Sequence, residues 1–348
     1  MNAELLLALE DLEREKGIDK ETLFSAIESA LISAYRRNFG SAQNVRVRID
    51  RESGATQVLA QKTVVERVTD HRLEVTPEEA RQVNPMANLG DIVEFEVTPK
   101  NFGRIAAQTA KQVIVQRIRE AERGLVYEEF AQREGDIVHG VVHRSERGLV
   151  FIDLGRTEAI LMPSEQVPGE HLRAGERVKL YVVEVRKTTK GPQVYVSRSH
   201  PGLIKRLFEL EVPEIHDGVV EIKGIAREAG ARTKIAVAAE DPNVDPVGAC
   251  VGPNGARVRS IVQELRGEKL DIIRWDPDPA TLVAHALSPA EVDEVTVEPH
   301  TRVARVVVPD DQLSLAIGKE GQNARLAAKL TGWKVDIRSR SQAERGGW

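Results

Sequence analysis

Hydrophobic and polar positions along the first 125 residues follow a helical periodicity and then a strand periodicity. Apolar side chains at helical spacing predict amphipathic helices at 3–15 and 19–37. Asp19 is placed to cap the start of the second helix, and Gly40 is placed to end it. Alternating patterns then predict strands, and a long helical pattern follows; these segments are 45–49, 57–68, 92–97 and the helix 101–132. This part of the chain therefore reads as an α+β domain.

Residues 133–200 show period-two alternation in short segments that are separated by glycines. The predicted strands are 136–143, 148–154, 158–162, 177–186 and 192–197. Five strands of this length suit a small β-barrel of the OB type.

Residues 201–348 contain an internal repeat, which is the most informative pattern of the chain. Gly252-Pro253-Asn254-Gly255 and Gly318-Lys319-Glu320-Gly321 lie 66 residues apart, and each follows a short apolar stretch. Two strands are predicted before each loop and one after it, near 218–228, 232–239 and 269–275 in the first copy and near 294–298, 302–308 and 334–338 in the second. A glycine-framed loop between two helices in this setting is the pattern with which KH domains clamp single-stranded nucleic acid.

The chain is thus predicted to be a multidomain α+β protein. Its expected domains are an N-terminal domain with a linker helix at 1–132, an OB-type barrel at 133–200, and tandem prokaryotic-type KH domains at 201–277 and 278–348. Because only two residues need to separate the KH repeats, we expect them to pack against each other.

The loop residues suit contact with a phosphate backbone. Glycine permits the turn and a close approach of the ligand, and the helix that follows directs free N–H groups at the anion. The predicted RNA-binding residues are Gly252, Pro253, Asn254, Gly255, Arg257, Arg259, Gly318, Lys319, Glu320, Gly321, Arg325 and Lys329. Lys319 favours the second loop, whereas the first loop has no charge and Pro253 lacks an N–H group. We expect Arg257 and Arg259 to lie outside the buried face of their helix.

A single glycine-framed loop is equally typical of an ordinary helix–turn–helix corner with glycine C-caps. The repetition of the loop in register favours nucleic-acid binding.

Composition limits the classes of protein without selecting one. The net charge of −5 argues against a protein that coats nucleic acid through bulk positive charge, so contacts must come from local patches. The single cysteine, Cys250, excludes an internal disulfide and a cysteine-based zinc site and fits a reducing cytoplasm. No segment has the continuous apolar length of a membrane span. We expect a cytoplasmic monomer without a membrane, metal or cofactor site.

Weaker signals have simpler explanations. His139 and His143 fall in a predicted strand and lack a third ligand, so exposed histidines are favoured over a metal pair. Asp310 and Asp311 are predicted to cap a helix rather than to form a carboxylate pair. Trp275 and Trp333 are expected to pack at the edges of the KH sheets. No motif of a known enzyme class is found, and the chain is expected not to be an enzyme.

Glycines at 135, 140, 148 and 155 give the barrel segment a resemblance to the S1 family of RNA-binding domains. Members of that family stack bases on aromatic side chains, but here only Phe151 and His143 lie near the corresponding strands. Since stacking contributes about 1–3 kcal/mol per base, we expect weak RNA binding by this barrel alone. Its electrostatic candidates are Arg144, Arg147 and Arg198.

Over essentially its whole length the chain resembles the NusA family of bacterial transcription termination/antitermination factors. The stretches that carry the resemblance are 101–112, 210–215 and above all 312–327, which includes the second glycine loop. The resemblance implies a transcription elongation factor that binds RNA polymerase near the RNA exit channel, receives nascent single-stranded RNA, and acts with other Nus antitermination factors on pausing, termination and antitermination. It also makes Arg104 and Lys111 of the linker helix candidates for the polymerase or exit-channel surface.

Some members of this family carry further C-terminal acidic repeats that restrain the RNA-binding part, whereas this sequence stops at Trp348. We therefore expect a short form that binds RNA without a release signal.

Two other classes combine similar modules. A phosphorolytic RNA-degrading enzyme has KH before S1 and large catalytic domains ahead of both, which the order and the first 125 residues do not fit. A ribosome-associated KH protein is the non-enzymatic alternative, and it predicts binding to ribosomal subunits rather than to polymerase.

Overall fold

A computed structural model describes residues 3–40 and 44–346, and it describes side chains from residue 6 onward within these ranges. The chain divides into two compact units, one of residues 1–125 and one of residues 126–348. Each unit is described by itself.

The first unit packs helices against a four-stranded sheet. Strand β2 is central, and β1, β3 and β4 all pair with it. The elements are α1 (Ala3–Lys16), α2 (Lys20–Phe39), β1 (Val45–Ile49), β2 (Thr56–Val64), β3 (Glu74–Val75), α3 (Pro77–Val83), β4 (Ile92–Glu96) and α4 (Phe102–Ala131). The predicted helices and strands are confirmed, except that the strand predicted at 57–68 ends at Val64. β3 and α3 were not predicted, because each is short and lacks a clear period.

Local signals set the ends of α2 as the sequence predicts. The Asp19 carboxylate accepts a hydrogen bond of 2.7 Å from the Thr22 backbone N–H, and Gly40 ends the helix with φ of 96°. The apolar face of α2 packs with alternate residues of β1 and with the first turns of α4 around buried residues that include Phe24, Ile27, Val47, Phe102 and Ala106.

The second unit begins with a closed five-stranded barrel of order β5-β6-β7-β9-β8. Its strands are β5 (Ile137–Glu146), β6 (Leu149–Asp153), β7 (Glu158–Leu161), β8 (Arg177–Thr188) and β9 (Gly191–Ser197). Alternate side chains point inward, as the period-two pattern predicts, and the core includes Val142, Ile152, Leu180 and Val196. Closure removes the exposed strand edges that a small open sheet would present.

The two repeats have the same topology. In each sheet the first two strands are antiparallel, and the third is parallel to the middle strand. The first repeat contains α5 (Pro201–Glu211), α6 (Pro213–His216), β10 (Val220–Glu228), β11 (Arg232–Ala239), α7 (Pro246–Val251), α8 (Ala256–Glu264) and β12 (Lys269–Arg274). The second contains α9 (Pro279–Ala286), β13 (Glu294–Glu298), β14 (Val303–Val308), α10 (Leu313–Ile317), α11 (Gln322–Thr331) and β15 (Lys334–Ser339), and α12 (Arg340–Gly346) follows.

Shared cores join the barrel and the repeats within the second unit. Ile137 and Tyr181 of the barrel pack against the core of the first repeat. Ala236 and Ile273 of the first repeat belong to the core of the second. The predicted packing of the two repeats against each other is therefore confirmed.

Buried ion pairs lie beside these junctions. The Arg227 and Glu268 side chains are each 1% exposed and form two hydrogen bonds of 2.9 Å. Glu268 also accepts hydrogen bonds from Thr233 Oγ1 at 2.5 Å and from the Gly230 backbone N–H at 2.8 Å. Arg227 in turn donates to the backbone oxygen of His200, in the segment that connects the barrel to the first repeat. This ion pair therefore fixes the edge of the first KH sheet to that segment.

We expect Glu268→Gln to lower the free energy of unfolding near pH 7 by about 3–5 kcal/mol, because the charge of Arg227 is left buried without its partner. Burial alone would raise the pKa of Glu268, but the hydrogen bonds and charge of Arg227 outweigh it and lower this pKa from 4.5. A carboxylate whose pKa is lower in the folded than in the unfolded protein stabilises the fold at pH values above its unfolded pKa. The difference in free energy of unfolding between wild type and Glu268→Gln should therefore shrink as pH falls below about 4.5.

Urea titrations between pH 7 and pH 3.5, followed by tryptophan fluorescence, measure this effect. All three tryptophans lie in the second unit, so the signal does not report unfolding of the first. Glu221→Gln on the exposed side of β10 is the matched control. A difference that stays constant across this pH range would contradict the assigned pKa direction.

Candidate nucleic-acid interface

The two glycine loops have the same backbone conformation. The first glycines, Gly252 and Gly318, have φ of 72° and 76°. The third residues, Asn254 and Glu320, have φ of 51° and 53°. Gly255 and Gly321 both have φ of 73°. Three of the four residues thus lie in the left-handed region, which explains why glycine occupies the first and last positions.

The two glycines of a loop have different steric roles. A Cβ atom on Gly318 would lie 2.7 Å from the backbone nitrogen of Asn323, and one on Gly252 would lie 2.6 Å from Cγ of Arg257. The first glycine therefore allows the following helix to approach the loop. A Cβ on Gly321 would meet no atom within 4 Å, so the backbone there is open to a ligand.

The residue five positions after the first glycine caps the preceding short helix. In the first repeat Arg257 Nη1 donates to the Ala249 oxygen at 2.6 Å and to Glu214 Oε2 at 2.7 Å. In the second repeat the buried Asn323 donates through Nδ2 to the Ala316 oxygen at 3.1 Å. Both side chains satisfy carbonyl groups at a helix end that lacks intrahelical donors.

Arg257 lies outside the buried residues of α8, as predicted, but it is not a free surface charge. Its side chain is 25% exposed, and its charge is paired with Glu214. The capping role of Asn323 was not predicted, although its register with Arg257, 66 positions earlier, was readable in the sequence.

The arginine seven positions after the first glycine donates a hydrogen bond to the backbone of the loop itself. Arg259 Nη1 donates to the Asn254 oxygen at 2.5 Å, and Arg325 Nη1 donates to the Glu320 oxygen at 3.2 Å. Arg325 also donates through Nε to Glu228 Oε1 at 2.6 Å. Both arginines are exposed at their loops, as predicted, but part of their hydrogen-bonding capacity serves the loop conformation.

The two loops differ in available positive charge. Lys319 and Lys329 are exposed, and among the described residues no acidic side chain forms an ion pair with either. The first loop presents exposed Pro253 and Asn254 instead. The second loop thus carries a cation within the loop, beside the exposed Glu320, whereas the first loop has Arg259 beside it, exposed and without an ion pair among the described residues.

The barrel candidates lie in three different settings. The Arg144 guanidinium is paired with Glu158 and lies 4.0 Å from the centre of the half-buried Phe151 ring. Arg147 is exposed in the turn between β5 and β6, with φ of 52°. Of the three barrel arginines, Arg147 is the one that is exposed and forms no ion pair among the described residues.

The prediction that Arg198 is a surface contact is wrong. Its side chain is 2% exposed and pairs with Glu170 at 2.5 Å. It also donates to the Glu264 backbone oxygen at 3.0 Å, at the end of α8. The sequence did not show this because Glu264 lies 66 positions away along the chain. Arg198 is therefore a cation at a helix C-terminus inside the barrel–KH junction.

In the first unit, Arg104 and Lys111 are exposed on α4. They lie seven positions apart, hence on one side of the helix, while Phe102, Ala106 and Ala110 face the core. No ion pair of either side chain occurs among the described residues, so both charges are available on this surface.

The remaining candidates have structural roles. Burial raises the pKa of the Cys250 thiol to about 12, as fits a small core residue. Trp275 and Trp333 pack against the core of the second repeat, as predicted. The prediction that Asp310 caps the helix that follows it is wrong. Its carboxylate instead accepts hydrogen bonds from the backbone N–H and the Oγ of Ser341.

Two kinds of site are absent from the described part of the chain. Its histidine, cysteine and carboxylate side chains form no cluster of three or more that could hold a metal ion. None of its helices has the length and apolar character needed to cross a membrane.

Four family models match consecutive parts of the chain. They are the NusA N-terminal domain over residues 4–124, the S1 RNA binding domain over 131–197, the NusA-like first KH domain over 198–275 and the NusA-like second KH domain over 279–345. The solution structure of the N-terminal domain of NusA from Bacillus subtilis is 63% identical, covers 35% of this chain and 99% of that chain, and has a TM-score of 0.33.

Whole-chain relatives give the same family. The transcription termination/antitermination protein NusA of Halalkalibacterium halodurans is 60% identical over 99% of this chain and 90% of its own length. The NusA protein of Bacillus subtilis is 60% identical over 99% of this chain and 92% of its own length. That of Mycobacterium bovis is 49% identical over 96% of this chain and 92% of its own length. With its multidomain α+β fold, an S1 domain and two KH domains in the family's order, the chain belongs to the NusA family of transcription termination/antitermination proteins.

Proposed function

We propose that this protein is a non-enzymatic transcription elongation factor that binds RNA polymerase and nascent single-stranded RNA. In this role it modulates pausing, termination and antitermination, as a cytoplasmic monomer that acts together with other Nus factors. The observation that carries the RNA-binding part is the pair of glycine loops with one backbone conformation, joined through shared cores in a single unit.

The proposed division of labour follows the domains. Residues 1–132 bind polymerase and present Arg104 and Lys111 toward the exit channel. The S1 domain at 133–200 provides an auxiliary RNA surface through Arg144 and Arg147, and the KH domains at 201–277 and 278–348 hold the transcript. Attachment of the first domain to polymerase keeps weak RNA contacts at high effective concentration, so a chain with net charge −5 still engages RNA.

Phosphate contact at the loops rests on their open backbone and on Lys319. The second glycine of each loop lies at the start of α8 or α11, where the positive end of the helix dipole faces the loop. The Gly255 and Gly321 N–H groups themselves donate to the backbone oxygens of Gly252 and Gly318. We infer that an RNA phosphate approaches the open backbone at this end of the loop and that Lys319 adds a salt-dependent charge contact at the second loop.

Substitution within the loops should weaken RNA binding without unfolding the repeats. Because Gly318 contacts the Asn323 backbone, a change there would disturb folding, whereas Lys319 and Asn254 are exposed. We expect Lys319→Asp to reduce affinity for unstructured RNA and to lower the slope of log Kobs against log salt by about 0.7, the value for one phosphate contact on a single strand. Fluorescence anisotropy at several salt concentrations measures both quantities.

Lys334→Asp is the matched control, since Lys334 carries the same charge in the same repeat but follows the far end of α11. An equal loss from both variants would show that general charge, rather than the loop, accounts for binding. Asn254→Asp tests the first loop in the same assay and should have a smaller effect on the salt slope, because no cation is lost.

Polymerase-dependent activity is tested at a hairpin pause site with purified RNA polymerase. The wild-type protein should lengthen the pause, and Arg104→Ala with Lys111→Ala should reduce this effect while leaving affinity for free RNA unchanged. Lys319→Asp should reduce both.

Arg14→Ala, an exposed position on α1, is the control in the first unit. No pause effect of the wild-type protein, combined with binding to RNA and co-sedimentation with ribosomal subunits, would overturn the proposal in favour of a ribosome-associated protein.

A further inference from the structure

The helix that follows the second glycine loop is held on the edge strand of the first repeat at both of its ends. At its start, Glu228 of β10 accepts a hydrogen bond of 2.6 Å from Arg325 Nε and one of 3.0 Å from Gln322 Nε2. At its other end, Leu330 lies over Gly224 of β10, where a Cβ atom would be 3.2 Å from Leu330 Cδ1. Two independent contacts thus align α11 with β10.

Arg325 connects this contact to the loop. The same guanidinium that donates to Glu228 also donates through Nη1 to the Glu320 oxygen, within the second glycine loop. A continuous path of hydrogen bonds therefore runs from β10 of the first repeat to the backbone of the second loop. The ion pair is intact at neutral pH, because the hydrogen bond from Arg325 lowers the pKa of Glu228.

Among the described residues, no hydrogen bond from a neighbouring domain reaches the first loop itself, and the barrel bonds to its helix α8 only at the far end, through Arg198 and Glu264. Arg259, the counterpart of Arg325, donates to its own loop at Asn254, and Arg257 pairs with Glu214 of the same repeat. The hydrogen bonds to the backbone of the first loop thus come from its own domain, whereas the arginine that bonds to the second loop is also held by the domain before it.

We propose that Glu228 is a positioning residue that fixes the distance between the two glycine loops and so sets the length of RNA that reaches both. The inference rests on the proposed function, since it requires both loops to bind one strand. Each KH loop takes about four nucleotides. A strand that spans two loops held at a fixed distance gains affinity through effective concentration, and this gain falls when the distance varies.

The closing experiment measures affinity against RNA length. Fluorescein-labelled oligoadenylates of about 4 to about 16 nucleotides bracket the range from one loop to two. The full-length wild-type protein should show a step in affinity at the length that first reaches both loops. Glu228→Ala removes both acceptors and should lower the affinity gained at this step roughly three- to tenfold, with the affinity for the shortest RNA changed less than about twofold.

Two further variants separate positioning from other roles. Glu221→Ala removes an exposed carboxylate from the same strand and should leave the step as it is in the wild type. Gly224→Val changes no charge but places a side chain against Leu330, so it should reduce the step in the same way as Glu228→Ala. Agreement between Glu228→Ala and Gly224→Val is the outcome that supports positioning.

Three outcomes would overturn the inference. An unchanged step in Glu228→Ala would show that the contact does not set the distance. Equal losses on short and long RNA would show that Glu228 supports the loop itself. Tighter binding of the shortest RNA, beyond that of Glu221→Ala, would show that Glu228 competes with phosphate for Arg325. A wild-type protein that binds RNA without any step would instead count against the proposed use of both loops.

Discussion

The close contact between the first glycine of each loop and the helix that follows it is the constraint on which the interface depends. At Gly318 no side chain fits, because the Asn323 backbone occupies the space that a Cβ would need. This approach brings Asn323 under the end of α10, where its amide satisfies carbonyl groups. The same approach in the first repeat brings Arg257 to the Ala249 carbonyl. The residue that fills the contact therefore differs between repeats, while the loop backbone does not.

Because the contact fixes the loop backbone, the surface open to a ligand is formed by the second to fourth loop residues and by the arginine that follows. Glu320 and Asn254 both adopt left-handed φ values that cost a non-glycine residue about 1–2 kcal/mol. The hydrogen bonds from Arg325 and Arg259 to their carbonyl oxygens offset part of this strain. An arginine at this position thus stabilises the loop conformation, and only its remaining N–H groups are available to a ligand.

Much of the fold was readable from the sequence because its strands have a clear period. The strands 232–239 and 294–298 were predicted with the bounds that the structure gives. Asp19 and Gly40 act where local capping rules place them. The short elements β3 and α3 were not predicted, since a two-residue strand has no period and the seven-residue helix has one buried side chain.

The fate of charged residues was less predictable, because it depends on partners far away in the sequence. Arg198 looked like a surface cation, and only folding brings it to Glu170 and Glu264. A buried ion pair of this kind gains little net stability over apolar packing, but losing one partner is costly. Arg198 and Glu268 therefore constrain how the barrel and the first repeat meet, which no local pattern reveals.

The same reasoning accounts for the electrostatics of the interface. The net charge of −5 says little about RNA binding, because acidic side chains neutralise particular cations and leave others available. Glu214 forms an ion pair with Arg257, and Glu228 forms one with Arg325. Lys319 of the second loop has no ion-pair partner among the described residues, and neither has Arg259 beside the first loop. Lys329 lies in the last turn of α11, away from the loop. Ion pairing elsewhere thus leaves particular cations available at the loops, and an acidic chain can present positive charge there without a basic composition.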